Sequence, residues 1–190
     1  MSLFAATLFS LSALAATPDV PEAAAGLGPG FHVRLDRTID ADPAVVWETF
    51  AENFADIASW SEGVTSSRPL DASEVPAGFT PDADAPVVGR FVSSGLGDQE
   101  HVLVDYDEPA GTFTFRSAGL PPVMAYAQNT HRIVALPDGK TEVFIDVYIV
   151  PKGIARLMRG KISDTFTGYM EAYLDESQAY LEAIPTSDAD

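Results

Sequence analysis

Proton transfer near neutral pH calls for carboxyl, imidazole or phenol groups held where water is scarce. Glu100 follows a glycine-rich turn, Ser94-Gly95-Leu96-Gly97-Asp98, at the start of an extended run. Turned inward, its carboxyl would anchor a ligand through water or serve as a general acid/base; turned outward, it is a solvated strand residue. Asp146 and Tyr148 interrupt the aliphatic series Val143, Ile145, Val147 and Ile149. A carboxyl inside a cavity has a raised pKa and can exchange protons, whereas on the other face it is an ordinary surface acid. Glu100, Asp146 and Tyr148 are therefore the candidates for catalysis. His101 and His131 also lie in extended runs, but alternation sends His101 opposite Glu100 and His131 opposite Tyr126 and Gln128, so both read as surface histidines. Arg116 and Arg132 are mid-strand charges that would pair with a ligand carboxylate or with an acid across the sheet. Trp60, Tyr126, Tyr148, Phe166, Tyr169 and Tyr173 supply apolar walls with a few hydroxyl donors, suited to planar or polycyclic molecules. Lys152, Arg156, Arg159 and Lys161 put four of the eleven basic residues within ten positions. That cluster reads as a solvated face, or else as a receiver for an acidic headgroup.

Several chemistries are excluded. No G-x-S-x-G elbow, G-x-x-x-x-G-K-[ST] loop or dinucleotide fingerprint occurs, and Gly26-Leu27-Gly28-Pro29-Gly30 precedes a strand, the wrong context for a nucleotide. Cysteine is absent, which removes thiol nucleophiles, disulfides and thiolate metal sites. The three histidines never approach a ligand spacing, so no metal and no cofactor is expected. Eleven basic against 28 acidic residues give a net charge of −17. Such a chain is repelled by nucleic acid and by anionic lipid, so no nucleic-acid partner is expected. A protein partner is left unassigned.

These side chains must be positioned by a fold of one domain, since 190 residues are too few for two ordinary ones. Residues 1–16 carry an uncharged apolar run too short to span a bilayer. With Ala13-Leu14-Ala15 as a small-x-small site, they read as an export signal, although no basic residue precedes the run. Export to the periplasm or medium is the expectation, a cytoplasmic protein the alternative, and no membrane span is expected. Residues 17–30 read as a flexible linker and 185–190 as a tail. Within 31–184, Phe31, Val33 and Leu35 alternate against polar neighbours, as in a strand with one buried face. Asp42-Pro43 opens a helix, with Val46, Phe50 and Phe54 on its buried side. Strands follow near 64–70, 87–93, 100–106, 112–117, 124–136 and 141–150, with a long solvated loop at 71–86. After Pro151 the period becomes 3.6: Ile154, Leu157, Met158, Ile162, Phe166, Tyr169, Met170, Tyr173 and Leu174 form one stripe to about Ile184, with Gly160 as a place for a kink. The order implies an α+β domain, a curved antiparallel sheet of about seven strands around a long C-terminal helix, with a hollow between them.

The run Ile39-Asp40-Ala41-Asp42-Pro43-Ala44-Val45-Val46-Trp47, Trp60 before Val64, the Gly95-Leu96-Gly97…Glu100 hairpin, Asp105-Tyr106-Asp107-Glu108 and Tyr148…Pro151 before a long helix resemble the START-like SRPBCC superfamily. That is the helix-grip or Bet v 1-like fold, of the polyketide cyclase/dehydrase and lipid-transport type. The resemblance covers about residues 31–184. More distantly the chain is similar to the plant abscisic-acid receptor branch. Ser94-Gly95-Leu96 resembles the start of that branch's gate. The resemblance implies pocket positions at Leu96, Glu100, Tyr126, Gln128, Phe144, Ile162, Phe166 and Met170. Gly97-Asp98 departs from the gate, Gly119-Leu120-Pro121-Pro122 from the latch, and Val64–Leu70 lacks the lysine that pairs with the hormone. Pattern alone turns the aliphatic face of 141–150 toward the helix, while the resemblance turns Phe144, Asp146 and Tyr148 into the cavity; the latter is adopted as the expectation. The implied ligand set is Trp60, Leu96, Glu100, Tyr126, Gln128, Phe144, Asp146, Tyr148, Ile162, Phe166, Tyr169 and Met170. The implied function is binding of a hydrophobic or aromatic small molecule such as a lipid or polyketide-like compound. The alternative is a cyclase/dehydratase-type enzyme that moves protons with Glu100, Asp146 or Tyr148.

Overall fold

Alternating apolar and polar residues form the strands of one antiparallel sheet in the computed structural model of the chain, which describes residues 20–184. The strands are β1 (Phe31–Ile39), β2 (Val64–Pro69), β3 (Gly89–Ser94), β4 (Gly97–Asp107), β5 (Thr112–Ala118), β6 (Met124–Ala135) and β7 (Thr141–Pro151). Their spatial order is β1-β7-β6-β5-β4-β3-β2, so the chain crosses from one sheet edge to the other between β1 and β2. The crossing is made by α1 (Pro43–Trp47), a π-type turn over Glu48–Glu52 and a 3-10 stretch over Phe54–Ser59. Asp42 caps α1 by accepting the Ala44 N–H at 2.8 Å, and proline occupies the first turn, where its missing N–H costs nothing. The expected stripe Val46, Phe50 and Phe54 is buried, though on three short pieces rather than one helix.

The long helix α2 (Arg159–Glu182) lies across the concave side. Leu174, Ser177 and Leu181 are its most buried residues, and Ile162, Phe166, Met170 and Tyr173 flank the core. Its N-terminal approach corrects the sequence reading. Gly153–Met158 forms a 3-10 helix, so Ile154 and Leu157 eclipse each other on the side away from the sheet and are 78% and 87% exposed. Met158 is exposed as well, and the break falls there rather than at Gly160. The apolar stripe therefore begins at Ile162.

Two segments read as loose are tied to the outer face. In the 71–86 loop, Asp71 and Glu74 form a capping box, and the Asp82 N–H donates to the Leu103 carbonyl at 2.9 Å. The Tyr106 N–H donates to the Asp82 carboxylate at 3.3 Å, and Phe79 lies under Arg116, whose guanidinium is 4.3 Å from the ring centre. In residues 20–30, a 3-10 turn at Glu22–Ala24 seats Ala24, only 1% exposed, on Tyr126, Tyr148 and Val150. The export-signal and tail readings, 1–16 and 185–190, lie outside the described residues. Among the described residues no helix is long and apolar enough to cross a membrane.

Candidate ligand cavity

Inward side chains of β7 are Val143, Ile145, Val147 and Ile149, all essentially buried. Toward the α1 end, the large rings Trp47, Phe50, Phe54 and Phe113 fill the space between sheet and helix. Toward the end bearing the β3–β4 and β5–β6 turns, the inward positions are small: Ser94, Ser117, Ala127 and Asn129. Small residues facing a helix held off by its own aromatics leave unfilled volume, and a cavity of about 320 Å³ results. Phe166, Tyr169, Met170 and Tyr173 of α2 form its roof, while Ile57, Gly63 and Val64 close one side. Leu96, from the two-residue turn closed by Gly97 at φ 97°, and Leu120, from the β5–β6 turn, stand at its mouth.

Within this apolar lining runs a polar strip. Arg90 of β3 pairs across strands with His101 of β4, and His101 with Ser117 of β5. Arg90 is 4% exposed. Its Nε donates to His101 Nδ1 at 3.2 Å and its Nη1 to the Phe54 carbonyl at 2.8 Å. The guanidinium sits 4.0 Å from the Phe54 ring centre and 5.3 Å from that of Phe115. Burial pushes its pKa down to about 10, so it stays charged at neutral pH. Cation–π contacts return about 0.5–2 kcal/mol against a desolvation cost of several kcal/mol for a buried ion. His101, with Nδ1 accepting from Arg90, turns Nε2 to Gln99 Oε1 at 3.2 Å. His131 stacks on Phe113 at 4.6 Å, and its Nε2 lies 3.5 Å from the Tyr173 hydroxyl. Burial, then the charge of Arg90, lowers both imidazoles, His131 to about 3, so both are neutral. Burial raises the Tyr173 phenol, which also stays neutral. His131 Nδ1 and Asn129 Oδ1 are buried without a hydrogen-bond partner. Among the described residues, no Asp or Glu lines the cavity.

Of the sequence-expected set, Leu96, Phe166, Tyr169 and Met170 line this cavity. Trp60 stands behind it, 5.2 Å from Tyr173 and 5.7 Å from Phe50 between ring centres, and Ile162 packs on the adjoining core. The remaining six are on the outer face. Asp146 receives His32 Nδ1 at 2.6 Å and Arg34 Nε at 3.0 Å, both from β1. Tyr148 packs with Ala24 and lies 4.7 Å from the His32 ring. The Tyr126 hydroxyl donates to Gln128 Oε1 at 2.6 Å, and Phe144 lies beneath Arg132 at 4.4 Å. Glu100 sits on β4 between the inward residues Gln99 and His101, with its carboxylate beside Gly119. Arg116 is outward as well, 5.2 Å from the Tyr126 ring centre.

The expectation of an inward Phe144, Asp146 and Tyr148 is thus corrected to the face that alternation alone assigned. A slip of one residue exchanges the faces of a strand, and the resemblance carried such a slip into β4, β6 and β7. By the same parity, His101 and His131 are cavity residues rather than surface ones. Arg90, Gln99, Ser117 and Asn129 escaped sequence reading because a polar residue in a strand is ordinarily assigned to solvent. Counting parity outward from the aliphatic face of β7 would have found Asn129 and His131.

Comparisons with known proteins agree with this architecture. No match was found among curated proteins. Among solved structures, a START superfamily protein from Mycobacterium smegmatis superposes with TM-score 0.61 at 10% identity, covering 81% of this chain and 99% of the other. XoxI from Bacillus cereus gives 0.62 at 14% identity over 80% and 96%, and Ara h 8.0201 gives 0.60 at 13% over 80% and 98%. Identities this low speak to the fold alone. Residues 30–182 match the family described as polyketide cyclase / dehydrase and lipid transport. With most of its length covered and the curved sheet and closing helix in place, this chain belongs to that family and has its START-like helix-grip fold.

Proposed function

We propose that this protein binds one apolar or aromatic small molecule between the sheet and α2. The observation that carries the reading is the cavity of about 320 Å³, walled by Phe115, Val147, Phe166 and Met170 and reached past Leu96 and Leu120. Affinity would come mainly from apolar area removed from water, about 25 cal/mol per Å² before ordering costs. The cyclase/dehydratase alternative rests on Glu100, Asp146 or Tyr148 moving protons inside the cavity, and these three stand on the other face. Among the described residues, the titratable groups facing the hollow are charged Arg90 and neutral His101, His131 and Tyr173, with no carboxyl among them. Binding is therefore the reading preferred. Thermal unfolding against a panel of hydrophobic ligands tests it: a ligand at 100 times its Kd should add about 2.7 kcal/mol of stability. Native mass spectrometry of protein from its own host should find a co-purified small molecule. No stabilisation by any panel member, with no retained molecule, would refute the reading.

A further inference from the structure

The cavity holds one formal charge, and nothing among the described residues answers it. Arg90 is 96% buried in an apolar setting, and no carboxylate lies within ion-pair distance of it among the described residues. Its two hydrogen bonds go to neutral acceptors, the Phe54 carbonyl and His101 Nδ1, and Nη2 donates to no group among the described residues. The neighbours that could have become anionic do not: among the described residues the cavity wall has no carboxyl, and Tyr173 keeps its proton. Nor does Arg90 share its charge with other cations, because His101 and His131 are neutral.

We infer that the ligand is an amphipathic acid, whose carboxylate or equivalent anion pairs with the free edge of the Arg90 guanidinium while its apolar body lies along Phe115, Phe166 and Met170. A guanidinium fixed on a ring face and tethered through Nε and Nη1 is preorganised, so little side-chain entropy is lost when an anion docks. In a water-poor hollow the pairing is screened far less than at the surface. Asn129 Oδ1, unpartnered on β6 elsewhere in the cavity wall, would accept from a hydroxyl on the same molecule. At about 30 Å³ per water-sized group, the volume holds on the order of ten such groups, a medium-chain or two-ring acid. The acidity of the whole chain would repel an anion at long range. Lys152, Arg156, Arg159 and Lys161, however, cluster where β7 leads into α2, at the same sheet end as the mouth turns.

This inference rests on the cavity being a ligand site, and its test separates the two ideas. The neutral fluorophore N-phenyl-1-naphthylamine reports cavity occupancy. Decanoate, decanol and decylamine then compete for it at pH 7.5, as do 2-naphthoate and 2-naphthol. Wild type should bind the acid of each pair at least tenfold tighter than the alcohol, with the amine weakest. In Arg90→Met the acid-to-alcohol ratio should fall to about 1, and Arg90→Lys should keep part of it. Circular dichroism confirms that each variant is folded; should Arg90→Met not fold, the wild-type ranking and Arg90→Lys still decide. Fluorophore binding without acid preference in wild type, or acid preference that survives in folded Arg90→Met, overturns the anion assignment and leaves the cavity reading standing. If neither fluorophore nor any competitor binds, the cavity reading itself falls and takes this inference with it.

Discussion

Two titratable residues can have opposite roles according to which way their strand turns them. Asp146 joins His32 and Arg34 on the outer face, with side chains 21–50% exposed, so its pairs are worth about 1 kcal/mol or less. Asp146→Asn should therefore cost no more than that in thermal unfolding and should not alter ligand titration; a large loss of affinity would return Asp146 to the site. His131 is the contrasting case. Its folded pKa is depressed to about 3 by burial and by Arg90, below about 6.5 in the unfolded chain. Between these values the unfolded state holds the extra proton, so stability is complete above about pH 6.5 and falls as pH drops toward 3. The slope is up to about 1.4 kcal/mol per pH unit for that one group. His101, lowered by the same causes, adds in the same direction, while Tyr173, the other titratable neighbour, is protonated throughout. Urea unfolding at pH 7 and pH 5 should lose less stability in His131→Gln than in wild type, by about 2 kcal/mol. Equal losses would mean that His131 is solvated.

At the scale of elements, the terminal helix shows where periodicity succeeds and where it stops. From Ile162 onward, residues three and four apart share an inward stripe, half-buried at Ile162, Phe166, Met170 and Tyr173 and fully buried from Leu174, because α2 has 3.6 residues per turn and rests on the core. Ahead of it the chain winds as a 3-10 helix, and the same spacing carries Ile154 and Leu157 into solvent. Leu157→Ser should then change stability by less than about 0.5 kcal/mol, whereas Leu174→Ala, at the centre of the core, should cost about 2–5 kcal/mol. Equal effects in chemical denaturation would mean that the 153–158 segment packs against the sheet. The helix after Asp42 shows the complementary lesson. Its cap and its buried positions were legible because each is set by neighbours within four residues. Its division into α, π and 3-10 pieces was not, because that follows from fitting Phe54 against Phe113 and Phe115 of β5 and Phe50 among Trp60, His131 and Tyr173.

For the whole molecule, apolar filling is uneven, and that unevenness is the functional feature. Aromatic side chains crowd the α1 end, while serine, alanine and asparagine face inward at the other, so the space between sheet and helix is filled at one end and hollow at the other. The N-terminal strap at 20–30 and the 71–86 loop cover the outer face, which lets Tyr126, Tyr148 and Val102 be buried there without joining the concave core. We propose that the N-terminal apolar run directs export and is removed at the Ala13-Leu14-Ala15 site. Protein recovered from its host should then begin after Ala15, as read by intact-mass and N-terminal sequencing, and a retained Met1 would refute this.

Strand alternation, the Asp42-Pro43 helix start, the change of period after Pro151 and the absence of cysteine and nucleotide motifs were enough to determine an α+β sheet gripped by a terminal helix. These are local signals, each set by residues a few positions apart. Which face of β4, β6 and β7 meets the hollow was decided by the tertiary structure, because one residue of register exchanges the faces and only packing across seven strands selects between them. Arg90 was hidden for the same reason: a charge in a strand reads as solvent-facing until the rings of Phe54 and Phe115, distant in sequence, are seen to enclose it.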